Sequence, residues 1–258
     1  MIYVGSKNRI SMPIVSILQT QIDNMDVDTY YEPFVGGANI IDKIECKRKI
    51  GIDNHFYLIE MFKALQKGWV PPKTITEEQY YRTKMNQLGE DPAWVGLVGF
   101  CSTFSAKWFG GYARCCKKDG TPRDRTAEAI RNLMKQIPKI KDVEFVWDDY
   151  QHYFEGRQVS NAVIYCDPPY RGTMKYSTGD INYDDFWDWV RWMSKDNYVF
   201  VSEYSAPSDF KCIWEQKVIL NLDSRRTDDV DVRKRVEKLF VWKGEIECTR
   251  KNAENVEV

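Results

Sequence analysis

The chain has 258 residues, 43% of them hydrophobic and 29% charged, and its 37 basic and 38 acidic side chains leave a net charge of −1. That length predicts one large domain or one domain with a lobe, and that composition excludes a disordered, collagen-like or disulfide-stapled chain. No apolar run reaches the roughly 18 residues of a membrane span, and Met1 to Ile10 carry no secretory signal pattern. Seven cysteines, an odd number with no C-x-x-C pair, predict reduced thiols and a cytoplasmic protein. His55 and His152 are the only histidines, so neither a zinc site nor a Ser-His or Cys-His nucleophile is expected.

In chain order, Arg9 to Asp23 predicts a helix, and Tyr30 to Val35 a strand running into Gly36 and Gly37. A helix over Asn39 to Cys46, a strand over Lys49 to Ile52 ending at Asp53, and a helix over Phe56 to Lys67 follow. From Gly68 to Ile140 the pattern becomes helical: Glu77 to Leu88, Ala93 to Phe104 and Thr126 to Gln136, with a glycine-rich basic loop from Gly110 to Arg125. Strands return at Val143 to Trp147, ending at Asp148 and Asp149, and at Ala162 to Cys166, ending at Asp167. Arg171 to Asp180 reads as a loop, either one that orders on a substrate or a merely mobile one. A helix over Tyr183 to Ser194 is expected to pack its Trp187, Trp189 and Trp192, and Tyr198 to Ser202 is a strand ending at Glu203. Gln216 to Leu222 and Val236 to Trp242 predict an antiparallel pair at one sheet edge, and Lys251 to Val258 a frayed tail.

Short apolar runs alternating with helices indicate an α/β fold, doubly wound with a mostly parallel sheet. Residues 1–67 and 141–258 would form that domain, with its edge hairpin, and residues 68–140 an inserted helical lobe. The lobe concentrates basic charge. Between Lys107 and Lys135, Lys107, Arg114, Lys117, Lys118, Arg123, Arg125, Arg131 and Lys135 face only Asp119, Asp124 and Glu128. The segment is a candidate polyanion surface, although charge alone favours a solvated helical face.

Three motifs carry the chemistry. Asp167-Pro168-Pro169-Tyr170 directly follows a buried-strand pattern. Two prolines remove two backbone donors and stiffen the chain, so the Asp167 carboxylate and Pro168 carbonyl can act as paired acceptors for an amine. Tyr170 offers a face for a ring. Glu32 to Asn39 (EPFVGGAN) follows a strand and opens a helix through two glycines, and Asp53 follows Gly36 by 17 residues at the next strand end. Such a carboxylate suits ribose hydroxyls. The run lacks a full G-x-G-x-x-G and a Walker lysine, which favours an adenosine-containing ligand other than a dinucleotide or triphosphate. Tyr3-Val4-Gly5-Ser6-Lys7 would mean little alone. Asp53, Asp149 and Asp167, each at a strand end, would converge at the carboxyl edge of the sheet.

In this order the motifs resemble those of the Dam-type adenine-N6 DNA methyltransferases, and the likeness extends from Ile2 to about Trp242. It implies S-adenosylmethionine in the crevice. Asp53 would hold the ribose, Tyr3, Lys7, Phe34 and Gly36 would surround the rest, and Asp149 and Tyr150 would lie by the adenine. Asp167 would stand between cofactor and a flipped adenine. The family's DNA-probing run falls at Trp108 to Arg114, which makes Phe109, Tyr112 and Arg114 expected DNA contacts. Lys117, Lys118, Arg123 and Arg125 would be phosphate contacts. Gly110 stands where the family commonly has Asn, so recognition of Gly-Ala-Thr-Cys is not implied. The resemblance further implies a double-stranded DNA partner, no metal and a monomer. DNA cytosine-N4, RNA adenine or protein glutamine are the alternative substrates, and a non-catalytic DNA-binding module is the alternative class.

Overall fold

The computed structural model describes residues 1, 3, 5–104, 107–116, 119–170, 181–219 and 234–244. Lys117, Lys118, the Arg171 to Asp180 loop, Leu220 to Leu222 and the Lys251 to Val258 tail lie outside them. Seven strands form one sheet: β1 (Thr29–Glu32), β2 (Arg48–Asp53), β3 (Val143–Trp147), β4 (Ala162–Cys166), β5 (Tyr198–Glu203), β6 (Phe210–Ile219) and β7 (Lys234–Trp242). Their order is β3-β2-β1-β4-β5-β7-β6. The first five are parallel to their neighbours, while β7 runs antiparallel to both β5 and β6. This is the expected α/β sheet with an antiparallel edge.

The apolar runs explain the centre of the sheet. Every residue of β4 is buried, and only the first residue of β5 is less than buried. A strand covered on both faces has no reason to alternate. One face is covered by α1 (Ser11–Asn24), α2 (Phe56–Gln66), α4 (Pro92–Cys101) and α5 (Arg125–Gln136), in a core that includes Ile14, Leu18, Phe62, Val98 and Leu133. The other face carries α6 (Tyr150–Phe154) and α7 (Tyr183–Met193), with Phe154, Phe186 and Val190 in its core. Among the described residues, no helix is long and apolar enough to cross a membrane.

Helix ends follow their capping residues. Thr76 closes a capping box with Gln79 at the start of α3 (Glu77–Met85). Asp91, Asp124, Asp149 and Asn182 accept backbone N–H groups at the starts of α4, α5, α6 and α7. The helix expected over Asn39 to Cys46 does not form. Only a 3-10 turn, Ile41–Lys43, occupies that stretch. The Lys43 backbone N–H bonds the Ile40 carbonyl, and its own ammonium takes the Asn39 carbonyl at 2.6 Å. The Lys43 N–H thus pairs three residues back, as in a 3-10 turn, rather than four. The apolar spacing of Ile40, Ile41 and Ile44 reflects their burial rather than a helix. Trp187 and Trp189 are buried as expected, but Trp192 is 51% exposed, because it falls on the solvent side of α7.

The parallel order makes β1 and β4 neighbours, although one connects onward to β2 and the other to β5. Connections leaving in opposite directions open a crevice at the strands' carboxyl ends. Behind it, α3, α4 and α5 lie in sequence between β2 and β3. Helix α4 crosses α2 closely at Gly96, where an added Cβ would lie 2.2 Å from the Tyr57 carbonyl oxygen. Gly96→Ala is therefore expected to destabilise the fold by about 1–3 kcal/mol through overpacking. A urea midpoint equal to wild type would refute that close approach.

Candidate active site

The glycine turn is built around one carboxylate. Asp53, at the end of β2, accepts the Gly36 N–H on Oδ2 and the His55 N–H on Oδ1, each at 2.9 Å. These bonds pin the turn after β1 to the end of β2. Gly36 has φ +44, and a Cβ there would sit 2.8 Å from the Tyr3 ring. Glycine is needed so that the N-terminal segment can close over the turn. Asn39 fastens that segment, donating to the Met1 carbonyl at 3.1 Å and to Ser6 Oγ at 2.9 Å. From α5, Gln136 Nε2 donates to the Gly37 and Ala38 carbonyls at 3.1 and 2.7 Å. Phe34 is half-buried, its ring 5.1 Å from that of Tyr150 and 5.9 Å from that of Phe186.

Asp167 stands at the end of β4, beside β1. Its Oδ1 is 2.9 Å from Lys7 Nζ. Lys7 is 6% exposed and is the one buried lysine or arginine among the described residues. Its ammonium lies 4.3 Å from the centre of the Tyr170 ring. Tyr170 donates its hydroxyl to Glu237 Oε2 at 2.8 Å, and the same oxygen is 3.5 Å from Lys7 Nζ. Burial pushes the Asp167 carboxyl above its ordinary range, with Lys7 pulling the other way. Burial also opposes the charge on Lys7, but Asp167 and Glu237 outweigh it and hold the ammonium firmly protonated. The Tyr183 hydroxyl, at the start of α7, donates to the Pro169 carbonyl and lies 3.1 Å from Glu203 Oε2. The Asp-Pro-Pro-Tyr loop is thus braced from β5 and β7 together.

The chain belongs to the D12 class N6 adenine-specific DNA methyltransferase family. Residues 3–93 and 104–189 match that family. It is 24% identical over 205 residues to the type II methyltransferase M.FokI of Planomicrobium okeanokoites, covering 71% of this chain and 31% of that one. It is 25% identical over 206 residues to the modification methylase StsI of Streptococcus sanguinis, covering 71% and 30%. The chain spans about a third of the length of these curated relatives. One solved structure, a candidate methyltransferase from Escherichia coli, overlaps 90% of this chain and 85% of its own at 8% identity and a TM-score of 0.34, an overlap too loose to add to the topology itself.

The methyltransferase motifs fit an adenosyl ligand by their chemistry. Each Asp53 oxygen spends one lone pair on a backbone N–H, and the second lone pair of each suits a ribose hydroxyl. Tyr3, Phe34 and Tyr150 bring rings to the same edge. Asp149 is exposed and caps α6 through the Gln151 N–H at 2.9 Å. Tyr150 is 5% exposed.

The expected DNA contacts are placed differently from one another. Arg114 is exposed, and its guanidinium forms a two-bond pair with Glu77, Nε lying 3.0 Å from Oε2. Arg123 makes a similar pair with Glu128, both bonds at 2.7 Å. Arg125 is 4.0 Å from the same Glu128. Phe109 is 6% exposed and packs against Tyr80 and Trp108. Tyr112 is half-buried and donates to the Ile75 carbonyl at 2.8 Å. Glu203 carried the strand-end signal that marked Asp53 and Asp167, whereas Glu237 sits in an ordinary charged strand with no such signal.

Burial raises the Asp53 carboxyl from 3.8 to about 6, against the pull of its two N–H donors. The unfolded chain therefore ionises this group first as pH rises, and the folded chain loses stability between about pH 4 and pH 6. The cost above that window is about 3 kcal/mol. Asp53→Asn is expected to flatten this loss in pH-resolved urea titrations. An unchanged pH dependence would show that folding does not shift the Asp53 carboxyl.

Proposed function

We propose that this chain methylates the exocyclic N6 amine of an adenine flipped from duplex DNA, with S-adenosylmethionine as donor. The observation that carries the reading is the position of Asp167. It is a half-buried carboxylate, its side chain 19% exposed, just past the carboxyl end of β4, beside the β1 glycine turn and paired with the buried Lys7.

When bound, S-adenosylmethionine supplies an electrophilic methyl group. The task left to the protein is to orient an amine that is a poor nucleophile, because its lone pair is delocalised into the ring. Asp167 Oδ2 and the Pro168 carbonyl accept the two N–H bonds of that amine and favour a more tetrahedral nitrogen. The Pro169 carbonyl accepts from Tyr183, which braces the loop that presents the Pro168 carbonyl to substrate. No covalent enzyme intermediate is needed, so positioning and electrostatics supply the rate. Extruding the base costs a few kcal/mol, and stacking on an aromatic ring can return roughly 1–3 kcal/mol. Tyr170 is the ring on the loop, and Asp53, Tyr3, Phe34, Gly36, Asp149 and Tyr150 line the donor side.

Residues 68–140 act as the DNA lobe in this reading, set on the α/β domain of residues 1–67 and 141–258. Arg114 reads a base after leaving Glu77, an exposed partner with which DNA can compete. Lys117, Lys118, Arg123 and Arg125 hold phosphates, which positions the duplex without reading it. The protein acts as a monomer in the cytoplasm, and the chemistry calls for no metal.

Incubation with tritiated S-adenosylmethionine and unmethylated genomic DNA should label N6-methyldeoxyadenosine in a nucleoside digest. Label on cytosine, RNA or protein would move the substrate, and donor binding without transfer to any of these would leave a non-catalytic module. Asp167→Ala should abolish transfer while retaining donor binding, and near-wild-type turnover by this variant would refute the mechanism. Arg114→Ala should relax sequence choice, mapped by sequencing methylated sites, more than Lys117→Ala does. Equal, sequence-independent losses would remove Arg114 from base reading.

A further inference from the structure

Glu237 is 8% exposed on β7, across the ladder from Gln216 on β6. Its Oε2 meets the Tyr170 hydroxyl at 2.8 Å and Lys7 Nζ at 3.5 Å. Lys7 in turn meets Asp167 Oδ1 at 2.9 Å and the Tyr170 ring at 4.3 Å. Four side chains from three separate stretches of sequence close one ring of contacts. Two of them are carboxylates and one is an ammonium.

That imbalance has a consequence for Asp167. A buried carboxylate is unfavourable unless it is paired, and Lys7 with Asp167 alone would make a balanced pair. Such a pair holds one Asp167 oxygen and draws electron density from the other, which weakens the carboxylate as an acceptor for a substrate amine. A second carboxylate within reach of the same ammonium changes this. Lys7 Nζ already lies 3.5 Å from Glu237 Oε2 and 4.3 Å from the centre of the Tyr170 ring, so a second partner stands within its reach.

We propose that Glu237 is a positioning residue for methyl transfer: it fixes the Tyr170 ring through its hydroxyl and takes up Lys7 when Asp167 accepts the adenine amine. The proposal rests on the methyltransferase reading above and assigns a role to a residue outside the recognised motifs. Glu237 touches neither donor nor base. It acts through Tyr170 and Lys7.

Glu237→Gln tests this in the intact chain, because it keeps the size and an oxygen for the Tyr170 hydroxyl but removes the charge. Donor affinity and the urea midpoint should stay close to wild type, while kcat falls about ten- to a hundredfold. The acid limb of kcat should move to lower pH, since a negative charge beside Asp167 has gone. The other groups facing Asp167, namely Lys7, Glu32 from β1, Tyr165 and Cys166 from β4, and Tyr170, are unaltered. Glu237→Asp, which restores the charge, should recover part of kcat and return the acid limb toward wild type. Wild-type kcat and pH profile in Glu237→Gln would overturn the proposal alone. So would a loss of kcat that comes with a lowered urea midpoint, an unmoved acid limb and no recovery in Glu237→Asp. Absence of N6-methyl label from the wild type would instead overturn the methyltransferase reading, and the proposal with it.

Discussion

The contact on which the site depends is the pair between the buried Lys7 and the half-buried Asp167. A lone carboxylate at the end of β4 would be costly inside the crevice, and a lone ammonium equally so. Their 2.9 Å approach makes both tolerable and draws the N-terminal segment across the carboxyl edge of the sheet. With Lys7 in place, Tyr3 lies against Gly36, and Asn39 fastens Met1 and Ser6 to the glycine turn. The N-terminal residues are therefore part of the crevice wall.

A second carboxylate organises the opposite side. Asp53 holds the backbone of Gly36 and His55, so the turn after β1 and the start of α2 share one anchor. Its burial raises its affinity for a proton, and the backbone donors offset this only in part. The two anchors sit on strands flanking β1, Asp53 on β2 and Asp167 on β4. The order of the sheet brings them to one edge, where the connections diverge. The antiparallel β7 then adds Glu237 behind Tyr170, and β5 adds Glu203 behind Tyr183.

The lobe between β2 and β3 shows a different economy of charge. Its basic residues outnumber its acidic ones, yet Arg114 and Arg123 are both paired with glutamates in the free protein. The aromatic part of the same loop faces inward. Phe109 and Trp108 continue a cluster of rings through His55 and Phe100 toward the end of β2. The loop that carries Arg114 is thus packed against the residues next to Asp53, which joins the lobe to the crevice through apolar contacts rather than through charge.

The sequence by itself determined the elements whose signals are local. β3 and β4 have the bounds their apolar runs marked, and Asp53 and Asp167 end strands as their spacing required. Periodicity located the helices, because a buried stripe at helical spacing is a property of neighbouring residues. It misjudged Asn39 to Cys46, where the Lys43 ammonium takes the Asn39 carbonyl and only a 3-10 turn forms. It also could not tell the exposed Trp192 from its buried neighbours on α7. The tertiary structure alone decided which charges meet. Lys7, Asp167 and Glu237 are separated by most of the chain, and only the sheet order sets them within one buried ring. A motif records which groups are present at short range, whereas the strength and partner of a buried charge depend on the distances and burial that long-range packing creates.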